Sequence, residues 1–173
     1  DHKGNRSDAP DDLIPQFEYI RKSVKAFNLP SIELINYEAD DLIATYVEKI
    51  LEIGAKVTIV SSDKDLMQLY KKGVRIYDPM KNKFINEDDV LNKFGVTADK
   101  VIDVQSLAGD STDNVPGVPG IGVKTAAELI NEYGTLENLL TNASKIKQNK
   151  RRETLINNKE DAIISKKLVT LKK

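Results

Sequence analysis

Apolar residues recur along this chain at spacings that change character partway through. Leu13, Phe17, Ile20, Val24 and Phe27 follow three- and four-residue steps and predict an amphipathic helix, with Pro10, Asp11 and Asp12 at its start. Ser31 to Ile35 reads as a short β-like segment. Leu42, Ile43, Tyr46, Val47, Ile50 and Leu51 predict a second helix, stopped by Gly54. Val57-Thr58-Ile59-Val60 is a compact apolar run, the pattern of a strand buried on both faces. A short helix through Leu66 and Leu69 follows, then Val74-Arg75-Ile76-Tyr77 as another strand.

Strands alternating with helices predict a parallel sheet covered by helices. After about Asn86 the β pattern stops and short helices separated by glycine predict a helical lobe. The expected organisation is thus an α/β core over 1–97 and a helical lobe over 98–173. With 173 residues, 40% hydrophobic and 31% charged, the chain is long enough to bury a core. No apolar run approaches the ~18 residues that span a bilayer, and Asp1-His2-Lys3-Gly4 does not open like a signal peptide. There is no cysteine and one histidine, His2. Thiolate sites are excluded, and a lone histidine at position 2 is not expected to serve a Ser-His-Asp triad or a histidine-ligated metal, leaving carboxylates, lysine and arginine to carry any chemistry.

The net charge of −1 conceals a division. From Thr141 onward ten Lys or Arg stand against three Asp or Glu, whereas the remainder has sixteen basic and twenty-four acidic residues. The basic end reads either as a solvated helical face or as a surface for phosphate. The acidic part contains three compact clusters: Glu38-Ala39-Asp40-Asp41, Asp63-Lys64-Asp65 and Asp110-Ser111-Thr112-Asp113. Helix capping accounts for the first two taken alone. Together, and with one at a strand's carboxyl end, they predict a shared site, since ligands gather there in open α/β sheets. Converging carboxylates repel unless cations neutralise them, and Mg²⁺ and Mn²⁺ favour such oxygen ligands.

Asn114-Val115-Pro116-Gly117-Val118-Pro119-Gly120-Ile121-Gly122-Val123-Lys124-Thr125 admits several readings. A dinucleotide-binding turn would need a strand before its glycines. A phosphate loop would need Lys directly after Gly122, where Val123 intervenes. A helix-hairpin-helix turn needs neither: its glycines admit a close phosphate, and the next helix's amides point at it. Gly117, Gly120, Gly122, Lys124 and Thr125 are the candidate DNA contacts, and such contacts would be sequence-independent. A purely structural turn is the remaining alternative.

Tyr37-Glu38-Ala39-Asp40-Asp41, Ser62-Asp63-Lys64-Asp65-Leu66 and Gly109-Asp110-Ser111-Thr112-Asp113-Asn114, running into Val115 to Gly122, closely resemble the 5′-nuclease domain of bacterial DNA polymerase I within the flap endonuclease group. The match covers nearly the whole chain. The resemblance implies a three-layer, PIN-like α/β nuclease core and a helix-three-turn-helix DNA lobe. It implies metal-dependent hydrolysis near 5′ ends in flap, branched or nicked DNA, leaving a 5′-phosphate, during replication and repair. It makes Glu38, Asp40, Asp41, Asp63, Asp65, Asp110 and Asp113 the carboxylates of a two-ion Mg²⁺ or Mn²⁺ site, some acting through water. It assigns Lys3 and Arg6 to the scissile phosphate and a K⁺ ion to the hairpin. It further implies a cytoplasmic, nucleoid-associated bacterial protein, either a monomer or part of a larger polymerase chain.

Two departures accompany the resemblance. The family opens with a strand carrying an aspartate ligand, a second aspartate follows, and this sequence begins after both; His2 stands where tyrosine is expected. The expectation is therefore a first strand missing from the centre of the sheet. Rival functions are a DNA-binding fragment that does not cut, a nucleotide-binding protein and an RNA-directed nuclease.

Overall fold

The computed structural model describes residues 9–172. The first helix, α1 (Gln16–Ala26), starts later than its apolar repeat, because Pro15 lacks an amide and takes the N-cap position. Its apolar face is uncovered among the described residues, with Phe17, Ile20 and Phe27 all exposed. The β-like segment expected at Ser31 to Ile35 does not form a strand. The chain turns there, Tyr37 N–H donating to the Leu34 carbonyl, with Asn36 left-handed at φ 68°.

Helix α2 (Ala39–Glu52) opens with a capping box between Glu38 and Asp41. It ends at Ile53, followed by Gly54 at φ 77°, as its sequence predicts. Its buried positions are Asp41, Ala44 and Val47. Strand β1 (Val57–Val60) pairs in parallel with β2 (Val74–Asp78), and β2 pairs antiparallel with β3 (Lys83–Ile85). The sheet is therefore mixed. The expectation that β1 is buried on both faces is corrected: Ile59 is buried, but Thr58 and Val60 are exposed. No strand lies on its other edge among the described residues, and an apolar concavity of about 390 Å³ there is lined by Ile32, Leu42, Ile43, Tyr46 and Val60 among others.

After β3 the chain is helical, as expected: α3 (Glu87–Phe94), α4 (Val101–Ala108), α5 (Val123–Tyr133), α6 (Leu136–Thr141), α7 (Asn149–Asn157) and α8 (Lys159–Val169), with short 3₁₀ turns between some of them. Asn86 and Asp89 form a capping box for α3, and Gly95 ends it at φ 71°. Helix α4 is the pivot of the lobe, packed between α5 and α8. One hydrophobic core runs from Ala44 through the sheet and α4 to Leu155 and Ala162. Asp103, buried in α4, is paired with Lys166 of α8 at 2.7 Å and accepts from Leu136 N–H, which ties three helices together. No helix among the described residues is long and apolar enough to cross a membrane.

Candidate active site

Three local structures bring the acidic motifs to one place. The capping box sets Glu38 and Asp40 at the start of α2. The loop leaving β1 ends in a 3₁₀ turn (Lys64–Leu69), where Asp63 caps the turn by accepting from Asp65 N–H at 2.9 Å. Beyond α4 the chain reverses at Gly109, φ 71°, and an isolated β-bridge joins Asp110 to Val115. Within that loop Asp110 Oδ1 accepts from the amides of Thr112 at 2.9 Å and Asp113 at 3.4 Å. The result is a cavity of about 30 Å³ lined by Glu38, Asp40, Asp65, Asp110 and Asp113, with Gln105 and the 168–171 segment completing the wall.

The structure separates the predicted carboxylates into two groups. Glu38, Asp40, Asp65, Asp110 and Asp113 share the cavity. Asp41 does not line it: one oxygen accepts from Lys172 N–H at 2.8 Å, the other from Glu38 N–H at 3.3 Å. Asp63 is an exposed capping residue and also lies off the cavity wall. Among the described residues no three of these carboxylates form a ready-made cage for one ion as they stand. Lys3 and Arg6 lie outside the described residues.

The electrostatics of the cavity depend on two residues outside the carboxylate set. Lys64 forms an ion pair with Asp110 Oδ2. Burial opposes the charge on Lys64, but the Asp110 hydrogen bond and the charges of Asp110, Asp65 and Asp113 outweigh it and raise its pKa above 10.5. Burial likewise works against ionised Asp110, yet Lys64 and the two loop amides hold its pKa below 3.8. Asp65 moves the other way: burial raises its pKa, helped by Asp63 and Asp110, although Gln105 opposes this with a hydrogen bond. Gln105 Nε2 donates to Asp65 Oδ1 at 2.6 Å. Sequence reasoning missed both residues, since Lys64 sits unremarked between two aspartates. Gln105 left one signal, an amide between the apolar positions Val104 and Leu107 of the predicted helix.

A hard, all-oxygen donor set of this kind fits Mg²⁺ or Mn²⁺. The fit is supported by an orphaned group: Gln105 Oε1 is buried with no hydrogen-bond partner.

The glycine hairpin joins this site to the helical lobe. Gly117 is buried and donates its amide to Ser165 Oγ at 2.8 Å. A Cβ at Gly117 would lie 2.5 Å from Gly109 N, so close backbone packing explains this glycine. Gly117 is thus engaged within the fold through both its amide and its surface. Gly120, Gly122 and Lys124 are exposed, and Gly122 is the N-cap of α5 with no side-chain cap. Gly120 and Thr125 face Gln148, Lys150 and Arg151 of the α7 region across a concavity of about 250 Å³. That juxtaposition was not predicted, because the two segments are more than twenty residues apart.

Comparison with known proteins agrees with this architecture. Residues 1–95 match the family described as 5′-3′ exonuclease, N-terminal resolvase-like domain, and residues 96–173 match 5′-3′ exonuclease, C-terminal SAM fold. The chain is 56% identical over 171 residues to DNA polymerase I of Rhizobium leguminosarum, covering 99% of this chain and 17% of that protein. It is 43% identical over 171 residues to the 5′-3′ exonuclease of Aquifex aeolicus, covering 99% of this chain and 58% of that one. The chain thus spans less than three-fifths of the length of either relative. The structure of T5 5′-exonuclease with divalent zinc ions bound superimposes with a TM-score of 0.84 at 25% identity, covering 98% of this chain and 64% of that one. The chain belongs to the 5′-3′ exonuclease family, in its form shared with bacterial DNA polymerase I.

Proposed function

We propose that this chain is the catalytic part of a divalent-metal-dependent 5′-nuclease that hydrolyses phosphodiester bonds in flap, branched or nicked duplex DNA. The observation that carries the reading is the convergence of five carboxylates from three separate sequence motifs on one small cavity. Glu38, Asp40, Asp65, Asp110 and Asp113 are the residues suited to hold the cations. Bound there, Mg²⁺ or Mn²⁺ would activate water and stabilise the leaving oxygen. Asp41 and Asp63 act behind them, fixing the start of α2 and the turn after β1. Lys3 and Arg6 are assigned to the scissile phosphate on their family resemblance.

The helical lobe supplies grip without base reading. The uncapped amides at the start of α5, beside Gly120, Gly122 and Lys124, suit a DNA phosphate. Lys150 and Arg151 face the same concavity and extend the contact. K⁺ at the hairpin, a working division near residue 97 and a bacterial cytoplasmic setting belong to the same proposal. So does membership of a larger polymerase chain.

The test is cleavage of an end-labelled 5′-flap DNA in Mg²⁺, with a chelator control. Chelator-sensitive cutting near the branch is expected. Tight binding of the flap without cutting in either Mg²⁺ or Mn²⁺ would replace the nuclease reading with a DNA-binding one.

A further inference from the structure

Gln105 is a polar residue where packing alone calls for an apolar one. It lies in α4 with only 4% of its surface exposed, flanked by Val104, Ser106 and Leu107, all buried. The hydrogen bond from its Nε2 to Asp65 Oδ1 sets the orientation of the amide, because turning it over would place an oxygen against a carboxylate. Its Oε1 is thereby left buried with no partner, the one such side-chain atom among the described residues. An oxygen in that state destabilises a fold, and an apolar side chain of similar length would remove the cost.

Gln105 lines the cavity that holds Glu38, Asp40, Asp65, Asp110 and Asp113. Ionised carboxylates accept hydrogen bonds and donate none, so they cannot satisfy the oxygen. Lys64, the lysine that acts on these carboxylates, is engaged by Asp110. The complementary group is a hydrogen-bond donor drawn to negative charge, and a hydrated divalent cation has that character. The cavity that Gln105 lines, of about 30 Å³, is large enough to admit water.

We propose that Gln105 is a positioning residue of the cation site. Its amide nitrogen fixes the carboxylate of Asp65, and its carbonyl oxygen accepts a hydrogen bond from the hydration shell of the bound divalent ion. The inference rests on the nuclease reading of the cavity and adds a neutral residue from outside the acidic motifs. It also gives the buried Gln105 oxygen a hydrogen-bond partner.

The experiment is Mn²⁺ binding, followed by electron paramagnetic resonance, on the full chain and on Gln105→Met, Gln105→Leu and Gln105→Glu. Each protein is also melted in chelator. Gln105→Met matches the side chain's length and lacks both polar ends. It should bind Mn²⁺ roughly ten-fold more weakly, the scale on which outer partners of metal ligands act, while its melting temperature in chelator stays level or rises. Gln105→Leu provides the same comparison should the methionine variant fail to fold. Gln105→Glu keeps an acceptor oxygen and should bind Mn²⁺ more tightly than Gln105→Met.

Unchanged Mn²⁺ affinity in the apolar variants overturns the inference alone and makes the partner of Gln105 a structural water. Weaker binding matched by a fall in chelator melting temperature also overturns it, since that pattern is a packing defect. Absence of Mn²⁺ binding by the unaltered chain removes the metal-site reading and the inference together.

Discussion

Replacing Gly117 with alanine separates the structural glycines of the hairpin from those available to a phosphate. Gly117 has φ +63°, is buried, and donates to Ser165 Oγ at 2.8 Å. A Cβ there would lie 2.5 Å from Gly109 N and 2.7 Å from Gly109 Cα, backbone atoms that cannot swing aside as a side-chain tip can. Left-handed backbone costs alanine about 1–2 kcal/mol, overpacking adds about 1–3 kcal/mol, and a stretched buried hydrogen bond removes about 1 kcal/mol. Gly117→Ala should therefore lose about 3–6 kcal/mol, a large share of the ~5–15 kcal/mol that holds a domain together. Gly120 also has a positive φ, +76°, but no atom lies within 4 Å of where its Cβ would stand, so only the first cost, about 1–2 kcal/mol, applies. Urea titration followed by circular dichroism measures both, provided the slopes agree. Gly109 immediately precedes Asp110, so Gly117→Ala should also weaken Mn²⁺ binding while Gly120→Ala leaves it alone. Equal losses in the two variants, or a loss under about 1 kcal/mol for Gly117→Ala, would refute the steric reasoning.

Other perturbations probe the charge network and the lobe. Lys64→Met removes a partly exposed ion pair with Asp110 and should cost about 1 kcal/mol in the metal-free protein. The sign follows from both partners: the lowered Asp110 pKa makes this stability disappear as pH falls below 3.8, and the raised Lys64 pKa makes it disappear as pH rises past 10.5. Melting temperatures of the two proteins in chelator should thus differ in the neutral range and converge at both extremes; a constant offset at every pH contradicts the assignment. Ser165→Ala strips the buried Gly117 amide of its acceptor and should cost about 1–3 kcal/mol in the same urea assay. Changing Lys150 and Arg151 together to alanine should weaken flap-DNA binding and reduce the slope of log affinity against log salt by about 2, with metal affinity unaltered. An unchanged slope would remove these residues from the DNA surface.

Much of this structure follows from patterns within a few residues, and what does not is set by contacts across the chain. The repeats of α2 and α4 and the stops at Gly54 and Gly95 are local, and the helices form where those signals stand. At Ser31 to Ile35, β-like composition has no strand alongside it among the described residues, and the turn at Asn36 prevails. The acidic motifs are conspicuous because each is contiguous, but contiguity does not decide which member faces the cavity. Asp40 and Asp41 are neighbours on α2, and about 100° of helical rotation separates them. One lines the cavity, and the other is buried in the capping box and bound by the backbone of Lys172. The contacts that set the charge of the site are similarly remote: Lys64 reaches Asp110 across 46 positions and Gln105 reaches Asp65 across 40. A carboxylate's identity is written in its own motif, whereas its protonation and orientation are fixed by residues elsewhere. For that reason the decisive variants here are Lys64 and Gln105, rather than the aspartates that first draw the eye.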